Sequence, residues 1–260
     1  SIGIRLYTQE NRLEGDQLLR QADQAMYEAK LAGRNTCRLF DSDLNTAMSR
    51  KFTLLSDIDQ ALKHNQFQLH YQPKVNLKTG EVIGAEALLR WQHPTEGLLS
   101  PSQFLTDIEH DLISVSIGEW VIEQVLKQLN LWNQKGIHVP VSVNIGARHL
   151  LQDTFISYLQ QILTTYPDVS PELLELEILE TSALKDFDRA AEVIQQGNEM
   201  GIEFCIDDFG SGYSSLVYLK KLPVKLLKID QEFVRYMLNN PDDEVIVQGV
   251  LGLAATFKMM

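Results

Sequence analysis

The chain has 260 residues, a formal net charge of −12 and an apolar content of 44%, and its pI is near 4.9. This composition is typical of a globular protein with a substantial core. The acidic balance argues against a nonspecific DNA- or RNA-binding protein, because such proteins usually present a basic surface. The two cysteines are too few for a disulfide framework. This favours a location in the reducing cytoplasm. The chain contains no signal-peptide pattern and no apolar stretch long enough to span a membrane. A longer parent protein with a membrane anchor upstream of this chain is still compatible with the sequence.

The first 41 residues read as a small α/β fragment. "SIGIRLY" predicts a strand, and "DQLLRQADQAMYEAKLAGRN" predicts an amphipathic helix that ends near Gly33. Such a unit is too small to bury a core unaided. The polar stretch "DSDLNTAMSRK" follows. The sequence therefore predicts a domain fragment over 1–41, a linker over 42–52 and a larger domain over 53–260.

The larger domain begins with a helix and two strands, "FQLHYQPKVNL" and "VIGAEALLRW", joined by the turn "KTGE". A turn this short predicts an antiparallel pair. Helices then alternate with short apolar strands, which predicts an α/β fold with a mostly parallel sheet. A β/α barrel and an open doubly wound sheet both fit this pattern. The predicted later strands are "VPVSVNI", "LLELEIL", "EFCIDDF" and "VKLLKID".

Polar side chains stand near the ends of these strands. They are Glu86, Asn144, Glu177, Asp207, Asp208 and Lys228. Polar residues at the carboxyl ends of many strands are how a β/α barrel builds an active site, so the barrel is favoured. Carboxylate and amide oxygens suit hard divalent cations. Taken singly, the acids also fit turn caps or solvated strand ends, and the lysine also fits a surface position.

Ordered motifs carry a family resemblance. "GAEALLRW", "VSVNI", "LELEILETS", "IDDFGSGYSSLVYLKKLPV" and "LLKID" resemble those of the EAL-domain cyclic-di-GMP phosphodiesterases over residues 53–260. Residues 1–41 resemble the C-terminal end of a GGDEF (diguanylate cyclase) domain. The Gly-Gly-Asp/Glu-Glu-Phe loop of that family is absent, so no cyclase activity is expected.

The resemblance implies a fold and a reaction. The fold is a TIM-like β/α barrel with its first strand antiparallel, and the reaction is hydrolysis of cyclic di-GMP to linear pGpG in bacterial signalling. The family uses two Mg²⁺ or Mn²⁺ ions. By this resemblance the metal ligands are Glu86, Asn144, Glu177, Asp207 and Asp208, with Asp207 bridging the two ions.

The remaining roles also come from the resemblance. Lys228 orients or activates the attacking water and, with Glu86, makes up the catalytic pair. Gln72, Arg90 and Asp208 contact the ligand. Glu180 tethers the glycine loop that begins at Asp208, and this loop is linked to dimerisation in the family, so a homodimer is an expected partner state.

The end of the chain departs from the family pattern. It stops at "TFKMM", where the seventh strand with its Glu-Gly-Val-Glu motif is expected. The sequence therefore predicts a barrel truncated after about six strands and an impaired hydrolase. A noncatalytic module that binds cyclic di-GMP or acts as a scaffold is the alternative.

Overall fold

A computed structural model describes residues 1–6, 14–31, 33–40, 42–210 and 216–260. The chain divides into two compact units, Ser1–Asp57 and Ile58–Met260. Both cysteines are free thiols, Cys37 exposed and Cys205 buried. Among the helices described in these ranges, we find none with the length and apolar character that a bilayer crossing needs.

The first unit contains a two-stranded parallel sheet. Strand β1 (Ile2–Ile4) pairs with β2 (Cys37–Leu39), and helix α1 (Gly15–Leu31) connects them. The helix buries Ala25 and Ala29 completely, as its amphipathic spacing predicts. Helix α2 (Ser42–Lys63) follows. The predicted linker, 42–52, is therefore helical.

The second unit contains the larger sheet and its helices. The strands are β3 (Phe67–Val75), β4 (Val82–His93), β5 (Gly97–Leu99), β6 (Val141–Ile145), β7 (Leu174–Leu179), β8 (Glu203–Phe209) and β9 (Leu226–Ile229). The helices are α3 (Leu105–Ile108), α4 (Ile113–Asn133), α5 (Ala147–Leu150), α6 (Phe155–Thr165), α7 (Glu180–Lys185), α8 (Phe187–Glu199), α9 (Leu216–Lys221), α10 (Gln231–Tyr236) and α11 (Pro241–Phe257).

The strand order of the larger sheet is β3-β4-β6-β7-β8-β9, with β5 added on β4. The first pair, β3 and β4, is antiparallel, and the pairs from β4 to β9 along this order are parallel. Helices between the strands confirm the α/β class. In the described ranges β3 does not pair with β9, so the sheet is open there and the closed barrel stays a prediction.

The two faces of the sheet differ in polarity. Along β4, Ala85, Ala87, Leu89 and Trp91 are buried, whereas the residues between them are partly exposed. Side chains alternate between the two faces of a strand. One face of β4 therefore carries the four buried apolar side chains, and the opposite face carries Glu86. The alternation therefore places the candidate site on the less covered face of the sheet.

A buried histidine gives the fold a testable pH dependence. His149 on α5 is 3% exposed, and neither ring nitrogen has a hydrogen-bond partner among the described residues. Its ring packs edge-on against Phe155 at 4.7 Å. A Cβ atom on Gly118 would lie 2.3 Å from its Nδ1, so α4 needs glycine at this contact. Burial lowers the pKa of His149 from 6.5 to about 4.

We expect this histidine to weaken the fold in acid. The pKa of His149 is lower in the folded state than in the unfolded state. Its contribution to the free energy of unfolding is therefore fully present above pH 6.5 and is lost as the pH falls towards 4. The loss from this group is about 3 kcal/mol, at about 1.4 kcal/mol per pKa unit. Urea unfolding across this range should show a shallower acid loss for His149→Phe than for the unmodified chain. Parallel curves would contradict the burial argument.

Candidate metal centre

Four neighbouring parallel strands deliver the predicted ligands to one edge of the sheet. Glu86 lies on β4, Asn144 on β6, Glu177 on β7 and Asp207 on β8. Asn144 is the register partner of Glu177, and Asp207 is the register partner of Leu179. The strands therefore place these side chains side by side, although Glu86 is the fifth of the twelve residues of β4 and not near its end.

Three carboxylates surround the ammonium of Lys228. Ligand oxygens of Glu86, Glu177 and Asp207 lie within 4.8 Å of one another. The Nζ atom of Lys228 donates to Glu86 Oε2 at 3.2 Å, to Glu177 Oε2 at 2.6 Å and to Asp207 Oδ2 at 3.0 Å. The ammonium thus occupies the position of a cation held by three carboxylates.

Glu177 is the least solvated member of this cluster. Its side chain is 0% exposed, and its Oε1 atom has no hydrogen-bond partner among the described residues. Burial raises the pKa of Glu177, and the charge of Lys228 opposes that shift. A buried carboxylate oxygen without a donor is costly. The cluster therefore fits a cation, and its oxygen donors are those that Mg²⁺ and Mn²⁺ prefer.

Lys228 stays charged in this environment. Burial alone would lower its pKa, but the carboxylates of Glu177, Asp207 and Glu86 outweigh burial and raise the pKa above its ordinary value. Asn144 completes the cluster on the other side, because its Nδ2 donates to Glu86 Oε1 at 2.9 Å. Glu86 is therefore held between an amide and an ammonium.

The adjacent acids Asp207 and Asp208 sit at an irregularity of β8. The register with β9 shifts between Ile206 and Phe209, and Asp208 has a φ of 52°, in the left-handed region. Its backbone N–H donates to Asp207 Oδ1 at 3.0 Å. Burial, then the charges of Asp207 and Asp230, raise the pKa of Asp208. The second acid is therefore electrostatically close to the cluster.

Glu180 reaches the loop after β8 rather than the cluster. It is 8% exposed at the start of α7, and its Oε2 accepts a long hydrogen bond of 3.4 Å from the N–H of Gly210. Gly210 has a φ of 104°, which favours glycine. The predicted glycine loop also includes residues 211–215, and these lie outside the described residues.

Two of the three predicted ligand contacts, Gln72 and Arg90, occupy the same face as Glu86. Gln72 on β3 is the register partner of Glu86, and Arg90 lies four residues further along β4. Side chains separated by an even number along a strand point the same way. The guanidinium of Arg90 donates to the Leu89 carbonyl at 2.7 Å, so it does not join the carboxylate cluster.

A cavity that the sequence does not predict lies beside the cluster. Its volume is about 210 Å³, and its lining is largely apolar, from β4, α3 and α4 with Asn144 at the cluster side. Glu109 is a charged residue of the lining, and it pairs with Lys185 at 2.9 Å. No local pattern indicates this cavity, because distant segments form its walls.

Comparisons with known proteins agree with the motifs. A family model described as the EAL domain matches residues 55–260, and one described as the diguanylate cyclase GGDEF domain matches residues 1–36. The chain is 40% identical over its full length to the bifunctional diguanylate cyclase/cyclic di-GMP phosphodiesterase MucR of Pseudomonas aeruginosa, and it covers 38% of that protein.

Two further similarities extend this finding. The cyclic di-GMP phosphodiesterase PdeR of Escherichia coli is 35% identical over the whole chain, which covers 39% of it. The chain therefore spans about two-fifths of the length of these relatives. A solved structure described as the PaMucR phosphodiesterase in complex with c-di-GMP is 40% identical, with a TM-score of 0.76 over 80% of this chain and 84% of that one.

Proposed function

The chain belongs to the EAL-domain family, and from that premise we propose that it hydrolyses cyclic di-GMP to linear pGpG with Mg²⁺ or Mn²⁺. The carboxylate cluster around Lys228 carries this proposal, because it holds a cation position and a buried Glu177 oxygen that has no donor within the part of the chain that the structure describes. The relatives named as cyclic di-GMP phosphodiesterases support the choice of substrate.

The metal ligands in this proposal are Glu86, Asn144, Glu177 and Asp207, with Asp208 beside a second ion. Bound ions would lower the pKa of a water molecule and stabilise the entering and leaving oxygens of the phosphodiester. Asn144 and Glu177 are register partners, which supports a shared site. Two ions, and the bridging role of Asp207, are part of the proposal.

Lys228 serves the nucleophilic water in this scheme. Its ammonium already contacts Glu86, Glu177 and Asp207, so a small movement of the side chain keeps it beside any group bound there. An ammonium has only hydrogen-bond donors, so from this position it would donate to the water oxygen and orient it. Glu86 contributes by holding both the ammonium and the cation position.

Ligand contacts extend along β4 towards its carboxyl end. Arg90 has a planar donor fork that suits a phosphate, and Gln72 faces Glu86 across the β3–β4 pair. The apolar cavity next to Asn144 offers a place for one base of the dinucleotide, because ligand pockets combine apolar walls with few polar groups. These positions extend the site from the reacting phosphate to a base.

Glu180 positions the first residues of the loop after β8 in this proposal. Its contact with the Gly210 N–H supports this. We expect Glu180→Ala to speed amide hydrogen exchange in residues 208–215 and to weaken self-association, with little change in Mn²⁺ affinity. Exchange at the same rate in both proteins, measured by mass spectrometry, would remove Glu180 from this role.

The function is tested by incubating the purified chain with cyclic di-GMP at saturating Mn²⁺ and separating the products by chromatography. Linear pGpG that disappears with EDTA supports hydrolysis. Calorimetric binding of cyclic di-GMP without product supports the alternative, a noncatalytic binding or scaffolding module. Barrel closure, homodimerisation and a cytoplasmic location stay predictions.

A further inference from the structure

A second polar cluster lies on the same face of the sheet, one layer nearer the amino ends of the parallel strands. Its strand positions precede the metal ligands by two residues, so their side chains share the ligand face. The pairs are Gly84 and Glu86, Ser142 and Asn144, and Glu175 and Glu177. Lys74, the register partner of Gly84, joins them from β3.

Lys74, Ser142 and Glu175 form a closed set of hydrogen bonds. Ser142 Oγ donates to Glu175 Oε2 at 2.6 Å, and Lys74 Nζ donates to Ser142 Oγ at 2.6 Å and to Glu175 Oε2. The side chains of Lys74 and Glu175 are only 26% and 13% exposed. Every member therefore has a partner in a largely desolvated layer.

Gly84 gives the lysine room to reach these partners. A Cβ atom at Gly84 would lie 2.6 Å from Cε of Lys74, so the stem of the lysine crosses β4 where that strand has no side chain. This space lets a residue of β3 pass over its neighbour and bond to β6 and β7. The glycine is thus part of the arrangement.

Contacts between side chains of strands that are not neighbours report the curvature of the sheet, and Lys74 with Glu175 is one such pair. Their strands, β3 and β7, are separated by β4 and β6, and three steps of about 4.8 Å amount to about 14 Å along a flat sheet. The two side chains nevertheless bond directly. Among the metal ligands, Lys228 on β9 reaches Glu86 on β4 across four steps, about 19 Å along a flat sheet, which is longer than the two side chains together. Curvature is therefore common to both layers.

We propose that Lys74, Ser142 and Glu175 are positioning residues, which set the curvature of the sheet beneath the metal ligands and hence the spacing of Glu86, Glu177 and Asp207. The proposal rests on the proposed metal-dependent function for the identity of the cation. Groups that hydrogen-bond directly to metal ligands typically change metal affinity about 10–100-fold when they are lost, and this cluster acts one step further away, through the backbones of β4, β6 and β7. The ligands themselves stay intact in this case.

The test measures Mn²⁺ binding to the 260-residue chain by calorimetry. Lys74→Met should raise the dissociation constant up to about tenfold, the lower end of the effect of a direct ligand partner, and Lys74→Arg should restore most of the affinity. Lys225→Met is the matched control, because Lys225 pairs with Glu203 at 3.1 Å in an exposed ion pair at the amino end of β8. This control should bind Mn²⁺ as the unmodified chain does.

A double variant separates positioning from stability. Lys74→Met with Glu175→Leu removes both charges, and such replacements of buried ion pairs are often neutral or stabilising. It therefore serves even if Lys74→Met alone does not fold. We expect urea unfolding close to that of the unmodified chain, together with weakened Mn²⁺ binding.

If the double variant, or a folded Lys74→Met variant, binds Mn²⁺ as tightly as the unmodified chain does, the positioning role is wrong. The proposed function is not affected by that result. An unmodified chain that neither binds Mn²⁺ nor forms pGpG would overturn both. Metal-dependent pGpG formation by the unmodified chain, with affinity lowered in both Lys74 variants and kept in Lys225→Met, supports both.

Discussion

Lys228→Ala should lower the rate of cyclic di-GMP hydrolysis by about 10²–10⁴-fold, the usual contribution of a positioned group that handles a proton or its acceptor. Mn²⁺ affinity should stay the same or increase. The ammonium sits among Glu86, Glu177 and Asp207, so it competes with a metal ion for those oxygens. A loss of rate without a loss of metal binding would separate its role from that of the carboxylates.

The same substitution should destabilise the metal-free protein. Removing one partner of a buried ion pair costs about 3–5 kcal/mol, because the other charge is left uncompensated, and the Glu177 side chain is 0% exposed. Added Mn²⁺ should recover part of this loss. The checks are steady-state kinetics, calorimetry and urea unfolding with and without Mn²⁺. An active Lys228→Ala variant, or one with weaker Mn²⁺ binding, would refute the assignment.

Loss of a group that hydrogen-bonds to a metal ligand lowers metal affinity about 10–100-fold. Asp207→Asn changes a ligand itself, so we expect it to weaken Mn²⁺ binding by more than that. It removes a charged oxygen from the group of Glu86, Glu177 and Asp207. It also leaves Lys228 with one fewer anionic acceptor. The amide nearly preserves the shape of the side chain, so the effect reports charge rather than packing.

Asn144→Asp is the counterpart of that change. It adds a carboxylate and removes the N–H donor that holds Glu86 Oε1 at 2.9 Å. We expect Mn²⁺ affinity equal to or tighter than that of the unmodified chain, and lower metal-free stability from like charges. Calorimetry on both variants decides the matter. Equal affinities for the unmodified chain and Asp207→Asn would show that Asp207 is not a ligand.

The sequence predicted much of this site because its signals are local. The apolar runs before Asn144, Glu177 and Asp207 indicate strands, and the carboxyl ends of parallel strands meet at one edge. The pattern "WVIEQVLKQLNLWNQKG" predicts a helix from Trp120, whereas α4 begins at Ile113. Ser114 and Gly118 weaken helix propensity in that stretch, while the burial of Ile117 in the core outweighs it.

The contacts that escaped prediction join residues distant in sequence. Lys74 and Glu175 are 101 positions apart, and Lys228 and Glu86 are 142 apart. Neither separation leaves a local trace, because such contacts depend on how far the sheet curls. Ser142 precedes Asn144 by two residues, and Glu175 precedes Glu177 by two residues. This repeated spacing is a signal in the sequence that indicates the cluster of Lys74, Ser142 and Glu175.

The left-handed backbone of Asp208 restricts how this position can change in evolution. Most L-residues pay about 1–2 kcal/mol in that conformation, while glycine does not and Asn and Asp are tolerated. Glycine would relax the backbone and remove a carboxylate next to Asp207. Selection for stability alone would therefore favour glycine at this position. Selection for a negative charge beside Asp207 would keep aspartate. An aspartate in this backbone conformation is consistent with stability yielding to activity, the trade-off typical of strained functional positions.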